Sequence, residues 1–599
     1  MLIVSIQLND PRIHWVTKRS PELDIVAWGR GHAFLDGVYY EDMELVNKII
    51  GQCNKPSVQE QICAFKGLIP MLDGCWALVM QACDGTVIAA VDRSRSIPLF
   101  YFRTSNGYVI ADAPDTNHNK KPKLNIDPVS AAEFLLSGYV SGKETLYKNV
   151  FQIQPGEFVE FPIDRPSAKY VPHRYFQYFP KDVSANRREE LEEEIEQILE
   201  TTFARLAGFL KGKTVILPLS GGYDSRLIAW MLKKHGVDNV LCYTYGVAAN
   251  PERVIAEQVA KTLGFEWRFI EYNAERWAKC MSSPEMSGYW DYAFRGTSSP
   301  HLQDFPAVME LTKEFHSGAP LVFLPGHVAD SWAGYQVLKS MEERASLPPT
   351  EYHSDYVMLR GCLVVSAIVH HHLSLWPVAP RLWDIEPWRS VARKIHDNVL
   401  AYENPRGYGV WTYAEWALRS RLALWLVNAC RCFEYFGGTF MLPLGTNELI
   451  GFLARLPKGL VIDSEFYTNT LSKRVLGSGN HLLCNIPIRS SSVHYKGDMA
   501  KRVMVDILLN MRLYKPLDRL RRSFRSPRGL HAESWFARNH RPERITIGEG
   551  LSTYQVEHYL PAELVQVIRP FLRRPLYSIQ CNGLLTAVVL AKEYARSEG

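Results

Sequence analysis

What is missing from these 599 residues narrows the field first. No apolar run approaches the length needed to cross a bilayer: the longest candidate, "CLVVSAIVHHHLSLW", is too short. There is no low-complexity tract and no internal repeat. The N-terminus "MLIVSIQLND" lacks a basic stretch and reaches Asp10 quickly, so it reads as a first strand and not as a signal peptide. Charge of one sign is also lacking. Sixty-eight basic against 63 acidic residues give +5, too mild a balance for a nucleic-acid binder. Eleven cysteines form no CxxC pair, which excludes a disulfide framework and points to reduced thiols in a cytosol. What remains is ordinary for a folded chain, with 47% hydrophobic and 22% charged residues, and it is too long for one core.

The period of the apolar residues changes along the chain. Up to about residue 160, short β-branched runs such as "LIVSIQL", "TVIAAVD" and "GYVIADA" alternate with Gly, Asp and Asn, as strands do. A Pro- and Tyr-rich stretch, "PIDRPSAKYVPHRYFQYFP", reads as a linker. Beyond it, Leu191, Ile195, Ile198, Leu199, Phe203 and Leu206 fall at helical spacing, with Ser184 as the expected cap. "TVILPLS", "NVLCYTYG" and "EWRFIEY" then alternate with two helices that stop at Gly236 and Gly264. Strand, helix, strand, helix, strand predicts a doubly wound parallel sheet. After about 280 the chain looks mostly helical and aromatic-rich.

Between the first of these strands and its helix lies "LSGGYDS", residues 219–225. Ligands of such sheets bind at the carboxyl ends of strands. Gly221 and Gly222 would allow turns that side chains block. Their amides, the Ser220 and Ser225 hydroxyls and the helix N-terminus would cradle an anion. Asp224 beside a phosphate asks for a cation between them, which suggests Mg²⁺. The plain alternative is a strand-to-helix turn with capping residues. "GFLKGKT" at 208–214 imitates a Walker A loop, but it has one residue too few and follows a helix, so it is rejected.

"SGGYDS" resembles the pyrophosphate loop of the N-type ATP pyrophosphatases, and the rest of the chain resembles the asparagine synthetase family. "LPGHVADSWAGY" (324–335) is similar to that family's second ATP loop, with Gly326 on its glycine and Asp330 on its metal-binding aspartate. "YTYG", with Tyr245, is similar to the strand end at the adenine, and Leu219 opens the first loop. "FMLPLGTNELIGFLARLP" (440–457) is similar to a further family segment. The resemblance implies a fold of class α/β, with an antiparallel β-sandwich glutaminase-like domain (1–162), a linker (163–185), a doubly wound ATP pyrophosphatase domain (186–480) and a helical extension (481–599). It implies ATP and Mg²⁺ as cofactors, with Asp224 and Asp330 holding the metal.

The departures matter as much. The family's glutaminase nucleophile is a cysteine at residue 2, and here Leu2 stands there; the nearest cysteine is Cys53. The glutamine-holding segment is replaced by "HAFLDGVYY", so glutamine hydrolysis is not expected. His327 replaces a glutamate and is the candidate base, on a free pKa of about 6.5, or else a residue that orders the loop. Thr446 replaces an aspartate of the aspartate-binding pattern. Lys473 is the candidate for the lysine that steadies departing pyrophosphate. "HHH" at 370–372 cannot converge on one ion from one helix. Cys430 and Cys432 read as buried thiols. Asn428, Arg431, Glu434 and Gly437 resemble a segment of asparagine-synthetase-like proteins of surface polysaccharide assembly, where Arg431 would meet an anionic sugar or pair with Glu434.

The expectation is therefore an AMP-forming carbon–nitrogen ligase in the cytoplasm. It would join ammonia or a substrate amine to a small-molecule or sugar carboxylate, with no nucleic acid and no membrane span, and with a homodimer allowed. A uronic-acid-type acceptor is the first choice. An intramolecular cyclase like the β-lactam synthetases or lasso-peptide cyclases, an asparagine synthetase, and a nucleotide-binding pseudoenzyme are the alternatives.

Overall fold

In a computed structural model of the chain, strand Asp73–Gln81 shows why the first part folds as layers. Its side chains alternate. Trp76, Leu78 and Met80 join one core, while Ala77 and Val79 join another, as a period of two requires. The described residues are 3–8, 15–20, 25–105, 107–114, 125–162, 170–178, 184, 186–315, 319–329, 363–376, 378, 380–401, 410–476, 483, 485–488, 546–547, 551–552, 556–572 and 578–598.

The N-terminal part holds two sheets. Strands β1 (Ile3–Gln7), β7 (Phe100–Thr104), β8 (Gly107–Ala111) and β9 (Val150–Gln152) form one, in the order β1-β8-β7-β9. The other runs β11-β10-β6-β5-β3-β2, with β4 paired to β3. Its strands are β2 (Val16–Ser20), β3 (Ile25–Leu35), β4 (Val38–Glu41), β5 (Asp73–Gln81), β6 (Val87–Val91), β10 (Glu157–Phe161) and β11 (Val171–Arg174). Helices α1 (Asp42–Cys53) and α2 (Val58–Leu68) cover its outer face through Leu45, Val46, Ile49 and Phe65. Pairing is antiparallel throughout except between β1 and β8, which run parallel. The stretch read as a linker contains β11, which extends the second sheet by pairing with β10.

Helix α3 (Pro128–Ser137) is capped by Asp127 and ends at Gly138 with φ 85. Its Phe134, Leu135 and Leu136 pack into the larger core of the second unit, so the two units share this segment. Helix α4 (Arg188–Phe209) buries Leu191, Ile195, Leu199, Phe203 and Leu206 along one stripe. Its cap is Arg187, whose amide donates to Glu190 at 3.1 Å; Ser184 accepts only from the Asn186 amide, outside the helix.

Five strands follow as one parallel sheet: β12 (Thr214–Pro218), β13 (Val240–Gly246), β14 (Glu266–Glu271), β15 (Leu321–Phe323) and β16 (Thr439–Phe440), in the order β14-β13-β12-β15-β16. Helices α5 (Tyr223–Lys234) and α6 (Pro251–Leu263) make the crossovers. The chain walks from β12 outward to β14 and then returns to the other side of β12 as β15. The β12/β15 boundary is thus the switch point at which such sheets hold ligands.

The C-terminal region is not a separate appendage where it is described. Helix Ser578–Glu598 buries Leu585, Val588, Val589 and Leu590, and the Thr586 hydroxyl donates to the Leu135 carbonyl at 3.2 Å.

Candidate active site

Leu219 fixes the start of the first loop. Its amide donates to the Tyr243 carbonyl at 2.8 Å, and its carbonyl accepts from the Thr244 hydroxyl at 2.7 Å. The loop then closes on itself. The Ser220 amide donates to Ser225 Oγ at 3.0 Å, the two serine hydroxyls lie 3.1 Å apart, and the Gly222 amide donates to Ser220 Oγ at 3.2 Å. α5 starts directly after, with Gly222 at its cap and no capping side chain over the first turn. That turn is left to an anion, where the helix dipole favours one.

The reason for the two glycines differs from the expected one. Neither Gly221 nor Gly222 has a positive φ, and Gly222 sits at φ −86°. A Cβ on Gly222 would meet only Ser220 Oγ, at 3.4 Å. Gly222 therefore keeps the cradle's surface bare and does not serve a strained turn.

The second loop follows β15 and meets the first. A Cβ on Gly326 would stand 3.1 Å from Asp224 Cβ and 3.4 Å from the Ser225 nitrogen. Two residues on, buried Val328 lies at φ 82, a costly conformation for a β-branched residue. Asp330 lies outside the described residues. Asp224 Oδ1 accepts from the Tyr467 hydroxyl at 2.5 Å, a partner 243 positions away that no local pattern announces. Lys473 lies on the helical turn Leu471–Val475, just beyond the helix that carries Tyr467, and its side chain is outside the described residues.

Mg²⁺ takes one or two carboxylates beside phosphate oxygens and keeps several waters. Among the described residues no three His, Cys, Asp or Glu side chains gather as a metal cage. A single carboxylate at an anion cradle, Asp224, fits a metal that arrives with its phosphates.

His327 is part-buried, with Nδ1 3.6 Å from Cys430 Sγ. Burial pushes it down to about 4, against the opposing charge of Asp304. It is a neutral imidazole at pH 7, a weaker base than its free pKa suggests. Asp304 is a further acidic group that the sequence reading passed over. It is buried, with His301 Nδ1 3.4 Å from Oδ2 and the Tyr243 hydroxyl 3.4 Å from Oδ1. Burial would raise its carboxyl, but His301 and His327 outweigh that and hold it below the usual carboxylate range.

Behind the loop, fully buried Arg226 of α5 grips the chain after Lys473. Its Nη1 donates to the carbonyls of Leu483 (3.2 Å) and Ile486 (2.9 Å), and its Nη2 to that of Pro487 (2.9 Å). Tyr245 stacks on Tyr272 with ring centres 5.0 Å apart, so one face of its ring is already covered.

Several other candidates take structural parts. Arg431 is 1% exposed and bonds Glu434 and the Ser96 carbonyl, which leaves no open face for a sugar. Thr446 caps helix Asn447–Ala454 through the Leu449 amide. His372 bonds Tyr413 at 2.9 Å. Cys53 is buried in α1, its thiol pushed up to about 12 by burial, which makes it no nucleophile. Leu2 lies outside the described residues. The described cysteines are all free thiols. No described helix is long and apolar enough to cross a membrane.

Residues 194–350, from α4 through both loops, match the family model described as asparagine synthase. No curated protein matches the sequence. Among solved structures, the chain is similar to an NMN synthetase from Francisella tularensis (15% identity, 25% of this chain and 59% of that one, TM-score 0.17). It is also similar to an NH3-dependent NAD synthetase from Campylobacter jejuni (18% identity, 25% and 62%, TM-score 0.17). A third is a glutamine phosphoribosylpyrophosphate amidotransferase from B. subtilis (11% identity, 52% and 64%, TM-score 0.19). The chain thus spans under two thirds of the length of each of these three.

Proposed function

We propose that this chain, whose residues 194–350 match the asparagine synthase family model, is an ATP-dependent ligase that forms an amide through an acyl-adenylate. The observation that carries the reading is the approach of Gly326 to Asp224 and Ser225. It brings the loops after β12 and β15 together over the N-terminus of α5, at the switch point of the sheet. The acceptor carboxylate attacks the α-phosphate of ATP and pyrophosphate leaves. The nitrogen nucleophile then attacks the acyl carbon and AMP leaves.

In this reading Leu219, Ser220, Gly221, Gly222 and Ser225 receive the pyrophosphate through amides and hydroxyls, and Tyr245 and Gly326 line the nucleotide. Such pre-aimed donors stabilise charge as it develops on the leaving group. Mg²⁺, held by Asp224 and Asp330, would supply neutralisation of phosphate charge. Lys473 is the proposed cation at the leaving group. His327, neutral at pH 7, can take the proton that the nitrogen sheds as it becomes cationic on attacking the acyl carbon. Its lowered pKa makes it a weaker base than the pH-matched ideal for that transfer.

In this reading residue 2 is not the glutaminase cysteine, and the nitrogen is supplied as free ammonia, by another protein or as an amine of the substrate. A uronic-acid-type sugar is the proposed acceptor. Its support is the likeness of residues 428–437 to a polysaccharide-assembly segment, since Arg431 itself is occupied. The test is AMP and pyrophosphate release from Mg-ATP, with aspartate, uronic-acid nucleotide sugars or short peptides, each with ammonium, glutamine or neither. Release that needs a sugar acid and ammonium, and that disappears in Asp224→Ala, is the expected result. Release on glutamine in place of ammonium would overturn the nitrogen source, and release on a peptide alone would replace the ligase with a cyclase.

A further inference from the structure

Arg95 is an unusual residue for its place. It sits between β6 and β7 at φ 51 and is 3% exposed. Its Nε donates to the Ile153 carbonyl at 3.1 Å, and its Nη2 is buried with no hydrogen-bond partner. The charges beside it are mostly of its own sign. Arg431, from the helix Arg431–Tyr435, and Arg295, from the turn after helix Pro284–Phe294, both act on it, and both are buried. Arg431 is engaged by Glu434, which Arg30 shares at 3.0 Å and the Tyr292 hydroxyl at 3.1 Å. Arg295 reaches the carbonyls of Tyr292 and Asp112.

The carboxylate that acts on Arg95 is Asp92, and its oxygens are already taken. They accept from the amides of Trp76 (3.1 Å), Ser94 (2.7 Å) and Ser96 (3.0 Å) and from the Ser96 hydroxyl. Burial, helped by Arg431 and Arg295, pushes Arg95 down to about 9, so it still carries its charge at neutral pH. A buried guanidinium with an unused donor, acted on by two like charges, is costly unless an anion completes it.

We propose that a small inorganic anion, of the size and charge of chloride, binds at the seam between the N-terminal sheets and the parallel-sheet unit, bonded to Arg95 Nη2, near Arg431, which bonds the carbonyl of the neighbouring Ser96, and in the field of Arg295. Arg95 comes from the first unit, and the other two from the second. The anion therefore ties the units together, and it does so whatever the ligase joins.

The experiment is thermal unfolding of the full chain at pH 7.5 and constant ionic strength, exchanging gluconate, a bulky organic anion, for chloride. Wild type should show a saturable rise in Tm of about 2–4 °C. Arg95→Met should lose the chloride response and melt no lower than wild type in gluconate, because it removes an uncompensated charge. Arg455→Met, at a surface arginine paired with Glu194, should keep the response. Superimposed chloride and gluconate melts of wild type, or an unchanged chloride response in Arg95→Met, would overturn the proposal. Should Arg95→Met fail to fold, crystals of the wild-type chain soaked in bromide decide. An anomalous peak within hydrogen-bonding distance of Arg95 supports the site, and its absence removes it.

Discussion

At Gly326 the lack of a side chain lets the loops after β12 and β15 approach each other closely. A methyl group there would press on Asp224 Cβ at 3.1 Å, tighter than most Cβ contacts, so Asp224 would have to shift by a few tenths of an ångström, with the Ser225 nitrogen in contact beside it at 3.4 Å. Gly326→Ala should cost about 1–3 kcal/mol as overpacking. It should also shrink the Mg-ATP-dependent rise in melting temperature more than it lowers the melting temperature of the free chain. An undiminished ATP shift in that variant would mean that the two loops do not share a ligand. Asp73 offers a second residue-level test. Burial raises its carboxyl to about 6, against the pull of the Asn447 amide at 2.7 Å and of Arg205 and Arg93. A carboxyl whose folded pKa exceeds its unfolded value binds more protons when folded, so stability is lost as pH rises through 6. Between pH 5 and 7.5 wild type should lose, through Asp73, on the order of 1 kcal/mol that Asp73→Asn does not lose. Urea unfolding of both proteins at the two pH values measures the difference; parallel curves would place the Asp73 pKa in the ordinary range.

The elements show what the sequence could disclose. α5 and α6 were legible because apolar period and stop signals agree: Gly236 and Gly264 end them at φ 71. The parallel sheet followed from alternation alone. β11 was not legible, since its pairing with β10 is made across the chain and "YVPHRY" carries a proline that suggests a linker. The glycine pair of the first loop does not serve a left-handed turn as its composition suggested, because composition alone cannot tell a positive φ from ordinary backbone that happens to carry no side chain. Tyr467 was missed because its partner Asp224 is 243 positions away, and Asp304 because Tyr243 and His327, which meet it along with nearby His301, lie on other elements. Thr446, singled out as the place where the family's aspartate is missing, starts a helix. Its hydroxyl accepts the Leu449 amide at 3.4 Å, at the head of a helix that buries Leu449, Ile450, Phe452 and Leu453. Thr446→Ala should therefore cost about 1 kcal/mol in urea unfolding. AMP release should be kept, whereas its loss at unchanged stability would return Thr446 to the site.

For the whole molecule, the question is whether two units unfold as one. The linear division of the chain is crossed repeatedly. α3 lies within the first 162 residues but packs into the larger core, and helix Ser578–Glu598 ties both halves. Its buried Glu593 accepts the Tyr147 hydroxyl at 2.7 Å and pairs with Arg596 at 2.8 Å, while Lys592 reaches Asp291 at 3.1 Å. A helix that only decorated the surface would melt by itself, leaving the main transition alone. One that holds residues 135–147 to the helix bearing Asp291 must draw the main transition down with it. Glu593→Ala removes a buried, charge-assisted bond worth about 1–3 kcal/mol. In calorimetry it should lower the temperature of one cooperative transition without splitting it. A new early peak with the main one unmoved would show that the helix folds onto the molecule independently, and that the two units do not depend on it for their union.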